Sequence, residues 1–280
     1  MNNFIVRTIT SVFFVATLVV SFMNPIAMVF LFAIVTGMTI WEFAGLVNER
    51  PYVQVNRFIS TVAGVYFFLA MAGHCSGRVT SDTVFIPYLI TISYLLVAEL
   101  YVKEKDPIND WAYTMLAQLY IALPFSMINV LAFPYAGGYS PVLPLSVFVF
   151  LWLNDAGAYC IGSLLGRHKL FPRVSPGKSW EGSIGGAVLV ICGAALIWHL
   201  LGVHAPGESN LSLLQWTGLG LTVVVFGTWG DLVESLFKRT LGVKDSGNVL
   251  PGHGGMLDRF DSTLLAMPAT VVYLFTLTLL

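Results

Sequence analysis

Apolar residues run through this chain in long unbroken stretches, neither alternating with polar ones nor confined to one helical stripe. Nine stretches of near-spanning length can be read, at 8–23, 26–47, 58–73, 85–102, 112–133, 142–166, 183–203, 212–237 and 263–280. A helix needs about 20 apolar residues, range about 17–25, to cross the hydrocarbon core of a bilayer. The pattern predicts an all-α, polytopic integral membrane protein with about nine transmembrane helices. The first and third stretches are short, and Asn24-Pro25 makes a tight turn before the second.

Charge sharpens this picture. With the N-terminus placed on the cytoplasmic side, 13 of the 14 Lys and Arg fall in inner segments, and only Arg78 falls outside. Positive charge of this kind marks cytoplasmic loops. Nine spans, N-terminus in and C-terminus out, therefore account for the cations. Arg7 followed by an apolar run has the look of a signal peptide, but no small-residue cleavage site follows, so a retained first span is expected. Composition agrees: 56% of residues are hydrophobic, 10% are charged, and mean hydropathy is +0.79. Soluble domains carry about 25% charged residues. A net charge of −1 and the lack of a basic tail give no reason to expect a nucleic-acid partner. Cys75, Cys160 and Cys192 have no paired spacing, which argues against a disulfide framework or a zinc site.

The chain divides into an N-terminal set of scaffold helices, 1–140, and a C-terminal catalytic set, 141–280, with inner loops at 167–182 and 238–262. No clear internal repeat is present, which weakens an inverted-repeat transporter. Five acids sit inside the apolar runs: Glu42, Glu99, Asp155, Asp231 and Glu234. Acids at that depth cost about 2.5–3.5 kcal/mol even on a permissive insertion scale, so each is a functional candidate. Glu42 and Glu99 lie near helix ends and have a plainer reading as solvated or structural groups. Asp231, Glu234 and Ser235 share one helical face by their spacing.

The segment from Ser235 to Asp261, SLFKRTLGVKDSGNVLPGHGGMLDRFD, is unlike the rest of the chain. Lys238 and Arg239 end the eighth run, where cations suit both the helix dipole and lipid headgroups. Lys244, His253, Gly254, Gly255, Asp258, Arg259 and Asp261 follow too densely for a plain anchor. Glycine lets backbone N–H groups approach an anion. Asp258 and Asp261 are three apart at a helix start, a position that also favours phosphate. Carboxylates with basic residues and glycines suit Mg²⁺-assisted chemistry on phosphates, because Mg²⁺ takes one or two carboxylates and leaves its other positions to water and phosphate oxygens. Asp231, Asp258 and Asp261 are the expected metal ligands. Asp261-Ser262 acting only as a helix cap is the competing reading, and His253 is either a base, a ligand or a structural donor.

A second site is expected in the preceding inner loop. Ser175-Pro176-Gly177-Lys178-Ser179 reads as a tight cationic turn that binds phosphate at a helix start. It lacks the spacing and the preceding strand of a Walker loop.

The segment S-L-F-K-R, then K-D, then P-G-H-G-G-M-L-D-R-F-D resembles the signature of phosphatidate cytidylyltransferases, also called CDP-diacylglycerol synthases. Asn154-Asp155 with Ala158-Tyr159, Ser175-Pro-x-Lys178-Ser-Trp-Glu181-Gly and Gly230-Asp231-Leu-x-Glu234-Ser235 are similar to the family as well, so the likeness covers about the last 130 residues. The resemblance implies transfer of CMP from CTP to phosphatidic acid, with Mg²⁺ and release of pyrophosphate. It implies catalytic roles for Asp231, Lys238, Arg239, Lys244, Asp258 and Asp261. Substrate contacts would come from Asp155, Ser175, Lys178, Ser179, Ser235, His253, Gly254, Gly255 and Arg259. The expected partners are CTP, phosphatidic acid and membrane lipid, with a homodimer left open and no nucleic acid. The expected location is a bacterial inner membrane with a cytoplasmic active site. A CTP-dependent polyprenol kinase and an ion-coupled transporter are the alternatives.

Overall fold

The computed structural model describes residues 3–102, 106–134, 138–204, 211–247 and 254–277. Ten α-helices follow in order: α1 Asn3–Ser21, α2 Pro25–Val47, α3 Arg57–Cys75, α4 Ile86–Ala98, α5 Pro107–Ala117, α6 Leu123–Ala132, α7 Val142–Leu165, α8 Trp180–His204, α9 Leu213–Leu241 and α10 Leu257–Thr276. α5 and α6 are joined by a π-helical turn, Gln118–Ala122, and make one continuous rod. Among the described residues, seven helical segments are long and apolar enough to cross a membrane, which makes this a membrane protein. α1 contributes a shorter apolar stretch, Thr8–Ser21. α10 carries Asp258, Arg259 and Asp261 in its first turns.

One inner loop departs from expectation. Residues 175–179 are not a turn but a strand. β1 (Lys169–Phe171) pairs antiparallel with β2 (Ser175–Ser179), with Lys169 opposite Ser179 and Phe171 opposite Ser175. The turn falls instead at residues 172–174. α8 also begins earlier than the apolar run suggests, at Trp180.

The chain forms two compact units. The first comprises Met1–Tyr139 with Thr240–Phe260; the second comprises Ser140–Arg239 with Asp261–Leu280. α10 thus starts in the first and continues in the second.

In the first unit, α3 packs on α2 and α6. Gln118 donates to the Ser60 carbonyl at 2.9 Å, a buried cross-helix bond of the kind that joins helices in lipid. A Phe cluster ties the start of α10 into this unit: the Phe260 ring lies 5.3 Å from Phe125, 5.6 Å from Phe14 and 6.2 Å from Phe32. Edge-on packing of this kind suits aromatic quadrupoles.

In the second unit, α7 and α8 meet along small residues. A side chain on Gly157 would come within 2.8 Å of Gly186 Cα, so the two backbones are in direct contact. α9 and α10 are joined by Tyr273, whose hydroxyl donates to the Gln215 carbonyl at 3.0 Å.

Candidate active site

The acidic centre of the second unit is built from α9 outward. Gly230 precedes Asp231, and a Cβ on Gly230 would lie 2.6 Å from the Asp261 carbonyl oxygen. Only glycine lets α10 come this close, and the approach brings Asp231 and Asp261 together. Both are partly exposed. Asp231 Oδ2 receives Lys178 Nζ at 2.5 Å, and its Oδ1 accepts from Ser235 Oγ at 3.1 Å, one turn along the same helix. The expected common face of Asp231 and Ser235 is therefore present. Asp155, on α7, lies within electrostatic reach of both Asp231 and Lys178. Asp261 interacts in the same way with Asp231, Asp155 and Lys178. One carboxylate thus pairs directly with the ammonium, and two more carboxyl groups lie within its electrostatic reach.

Lys178 reaches this centre because its hairpin is pinned. Glu181 accepts the backbone N–H of Arg167 at 3.1 Å and of His168 at 3.2 Å, and its carboxylate sits 2.5 Å from His168 Nδ1. Trp180 N–H donates to the His168 carbonyl at 2.9 Å. Ser179 is buried and caps α8, accepting Gly182 N–H at 3.2 Å. Lys178 is therefore the member of the Lys178-Ser179 pair that faces the acids. Ser175 lies at the far end of β2, opposite Phe171.

On the next turn of α9, Lys238 Nζ pairs with the fully buried Glu234 at 2.7 Å. Arg239 is exposed at the helix end.

The first unit holds the glycine loop, and its organiser comes from α2. Glu42 is buried, and its carboxylate accepts Met256 N–H at 2.8 Å, Leu257 N–H at 3.1 Å and the Ser246 hydroxyl. It caps α10 in trans, placing negative charge at a helix N-terminus. A Cβ on Gly247 would stand 2.7 Å from Glu42 Oε2, and one on Gly255 would collide with Oε1. Asp258 closes the loop: its Oδ2 accepts Gly255 N–H at 2.8 Å, Ser246 N–H at 2.8 Å and Ser246 Oγ at 3.0 Å. Gly254 adopts φ +79, a conformation that favours glycine. Lys244 and Arg259 are exposed on this unit. His253 lies outside the described residues.

The expected site residues therefore form two groups. Asp155, Lys178, Asp231, Ser235 and Asp261 gather in the second unit; Gly254, Gly255 and Asp258 gather in the first. Glu42 went undervalued in the sequence, where its place near a helix end suggested contact with headgroup water. The small and hydroxyl residues around it on α2 (Thr36, Gly37, Thr39 and Gly45) were the available sign of a packed, polar helix face.

Were a divalent cation to bind here, Asp231 and Asp261 would offer two carboxylates, and Mg²⁺ takes one or two from a protein. Among the described residues, no three His, Cys, Asp or Glu converge as a ready-made metal group. A two-carboxylate site does not require a third. Asp258, one oxygen of which serves the loop, is the least free of the three expected ligands.

Comparison with known proteins identifies the family. A family model described as "Cytidylyltransferase family" matches residues 5–277. A phosphatidate cytidylyltransferase of Haemophilus influenzae is 34% identical over 261 residues, covering 85% of this chain and 88% of the relative. One from Staphylococcus aureus (strain COL) is 34% identical over 225 residues, 79% of this chain and 80% of the relative. One from Staphylococcus epidermidis is 31% identical over 264 residues, 94% and 96% respectively. With a match that runs from the first helix to the last, the chain belongs to the cytidylyltransferase family.

Proposed function

We propose that this protein transfers CMP from CTP to phosphatidic acid, giving CDP-diacylglycerol and pyrophosphate. An oxygen of the lipid phosphate attacks the α-phosphorus of CTP. The new P–O bond forms as the bond to the β-phosphate breaks, and pyrophosphate leaves with that electron pair. Both substrates are polyanions, so their charge must be offset before in-line geometry is reached.

The observation that carries the assignment is the Lys178–Asp231 contact of 2.5 Å, with Asp155 and Asp261 in the same electrostatic cluster. A lone ammonium among carboxyl groups exchanges partners readily when a phosphate arrives. Lys178 can move from Asp231 to a phosphate oxygen, and Ser235 keeps Asp231 oriented through its hydroxyl. Asp231 and Asp261 would hold Mg²⁺, with Asp258 as a further candidate; bound there, the ion would neutralise phosphate charge and polarise the α-phosphoryl group. Lys238, Arg239, Lys244 and Arg259 are the cations assigned to the phosphates. The glycine loop has its N–H groups at Ser246, Gly255, Met256 and Leu257 taken up by Asp258 and Glu42, so its contribution to the phosphates is assigned to the exposed cations beside it, Lys244 and Arg259.

Nine spans, a cytoplasmic N-terminus and an active site at the cytoplasmic face of a bacterial inner membrane complete the proposal. The charge asymmetry of the loops supports that orientation. The deciding experiment incubates purified protein with labelled CTP, phosphatidic acid and Mg²⁺ and identifies the products. A CDP-lipid with pyrophosphate is expected. CDP with a newly phosphorylated lipid would mean a lipid kinase, and solute flux without nucleotide turnover would mean a transporter.

A further inference from the structure

The first unit contains a groove of about 1270 Å³ between α2 and α3. Its walls are apolar at helical spacing, with Phe30, Ile34 and Met38 on α2 facing Val65 and Leu69 on α3. Its mouth is polar and includes Ser246 and Gly247 of the glycine loop, with Glu42, Trp41 and Arg57.

Arg57 is held rather than splayed into solvent. Its guanidinium lies 4.2 Å from the centroid of the Trp41 ring and donates to the Trp41 carbonyl at 3.1 Å. Gly45 makes room for it: a Cβ there would be 2.8 Å from one terminal nitrogen. No carboxylate among the described residues pairs with this guanidinium. Its Nε–H is buried and has no acceptor. A buried donor left without an acceptor costs about 1–3 kcal/mol. The two carboxylates on the lining do not answer it, because Glu42 is engaged by the loop and Glu49 is exposed. A guanidinium stacked on a ring and without a carboxylate partner is suited to a phosphate. A plain interfacial anchor would keep its charged head in water, and Arg78 at the other end of the groove is exposed in that manner.

The dimensions name the rest of the ligand. From Trp41 to Phe30, α2 rises ~16 Å at about 1.5 Å per residue. That is about half of a ~30 Å hydrocarbon core, the depth of one leaflet. We propose that this groove is the binding site for the lipid substrate, phosphatidic acid: its phosphate on Arg57 and one acyl chain between α2 and α3. The site rests on the proposed function for the identity of its occupant. The mouth shares Ser246 and Gly247 with the glycine loop, which joins lipid capture to the loop whose order Glu42 maintains.

The test uses the purified full chain in lipid nanodiscs and a phosphatidic acid that carries a photoreactive diazirine at the end of one acyl chain. Labelling should fall on α2 and α3 peptides and be competed by unlabelled phosphatidic acid, but not by phosphatidylglycerol. In product assays, Arg57→Gln should raise KM for phosphatidic acid about tenfold, the loss of about 1.4 kcal/mol of charged hydrogen bonding, and leave KM for CTP unchanged. Arg57→Lys should recover part of the loss. Ile34→Trp should raise KM for a long-chain substrate but not for a dihexanoyl one. Label elsewhere, equal competition by phosphatidylglycerol, or an unchanged KM in Arg57→Gln would overturn the site. Photolabelling needs no turnover. Failure of the wild-type protein to make CDP-diacylglycerol would therefore strike the proposed reaction alone, while the label pattern would still decide the groove.

Discussion

Lys178 Nζ stands 2.5 Å from Asp231 Oδ2, joining the end of a two-stranded hairpin to the middle of a membrane-spanning helix. The contact is long-range in sequence, partly exposed, and set among further acids. A partly exposed pair contributes little to holding a fold, about 0–1 kcal/mol. A pair placed to be broken by a substrate has these features, and the expected effects of substitution follow from that difference.

Asp231→Asn keeps the side-chain shape and removes the charge. CTP-dependent lipid product should fall by at least ~10²-fold, the scale set by loss of an electrostatic group at a reacting centre. The protein should still insert and remain monodisperse in detergent. Turnover within a few-fold of the parent would remove Asp231 from the reaction centre.

Gly230→Ala tests the backbone approach that unites Asp231 with Asp261. The added methyl would stand 2.6 Å from the Asp261 carbonyl oxygen, so α9 and α10 must separate. Overpacking of this kind costs about 1–3 kcal/mol. A lowered unfolding temperature and a fall in kcat are expected together. Gly202→Ala on α8, where nothing lies within 4 Å, is the control and should do neither.

Glu42→Ala should loosen the glycine loop, since it orphans the N–H groups of Met256 and Leu257 and leaves the Ser246 hydroxyl to Asp258 alone. Each buried donor left unmet costs about 1–3 kcal/mol. Faster proteolysis within 240–260 and reduced activity are expected, with partial recovery in Glu42→Gln, which retains one acceptor oxygen. Unchanged protease sensitivity would show that the loop is ordered by other means.

Lys244→Ala should raise KM for an anionic substrate more than Lys103→Ala does, because Lys244 adjoins the glycine loop, whereas Lys103 is expected to be a headgroup anchor. Equal and small effects in a side-by-side titration of CTP and phosphatidic acid would reduce both to anchors.

Chelation offers a separate check. Activity should vanish in excess EDTA and return with added Mg²⁺. Asp261→Asn should raise the Mg²⁺ concentration needed for half-maximal rate, as expected when one of very few protein carboxylates is withdrawn from a hard cation. A rate that is indifferent to chelator would exclude the proposed ion.

The long apolar stretches determined the helices by themselves, because lipid leaves the backbone no other way to satisfy its hydrogen bonds. The density of charge and glycine between Ser235 and Asp261 likewise singled out a candidate site without help from coordinates. What the sequence could not supply was partnership across distance. Residues 175–179 resembled a turn because Pro176 and Gly177 are turn-formers, yet pairing with residues 169–171 drew them into a strand and aimed Lys178 at Asp231. Asp258 and Asp261 looked equivalent by helical spacing; only packing committed one to the loop of the first unit and the other to the acids of the second. Glu42 stood out only as an acid inside an apolar run, and Arg57 only as one more inner cation; their partners, the start of α10 and the Trp41 ring, come from folding. Local hydrophobicity dictates where a chain enters lipid, but which polar groups then face one another is decided by close backbone contacts at glycines, and those exist only in three dimensions.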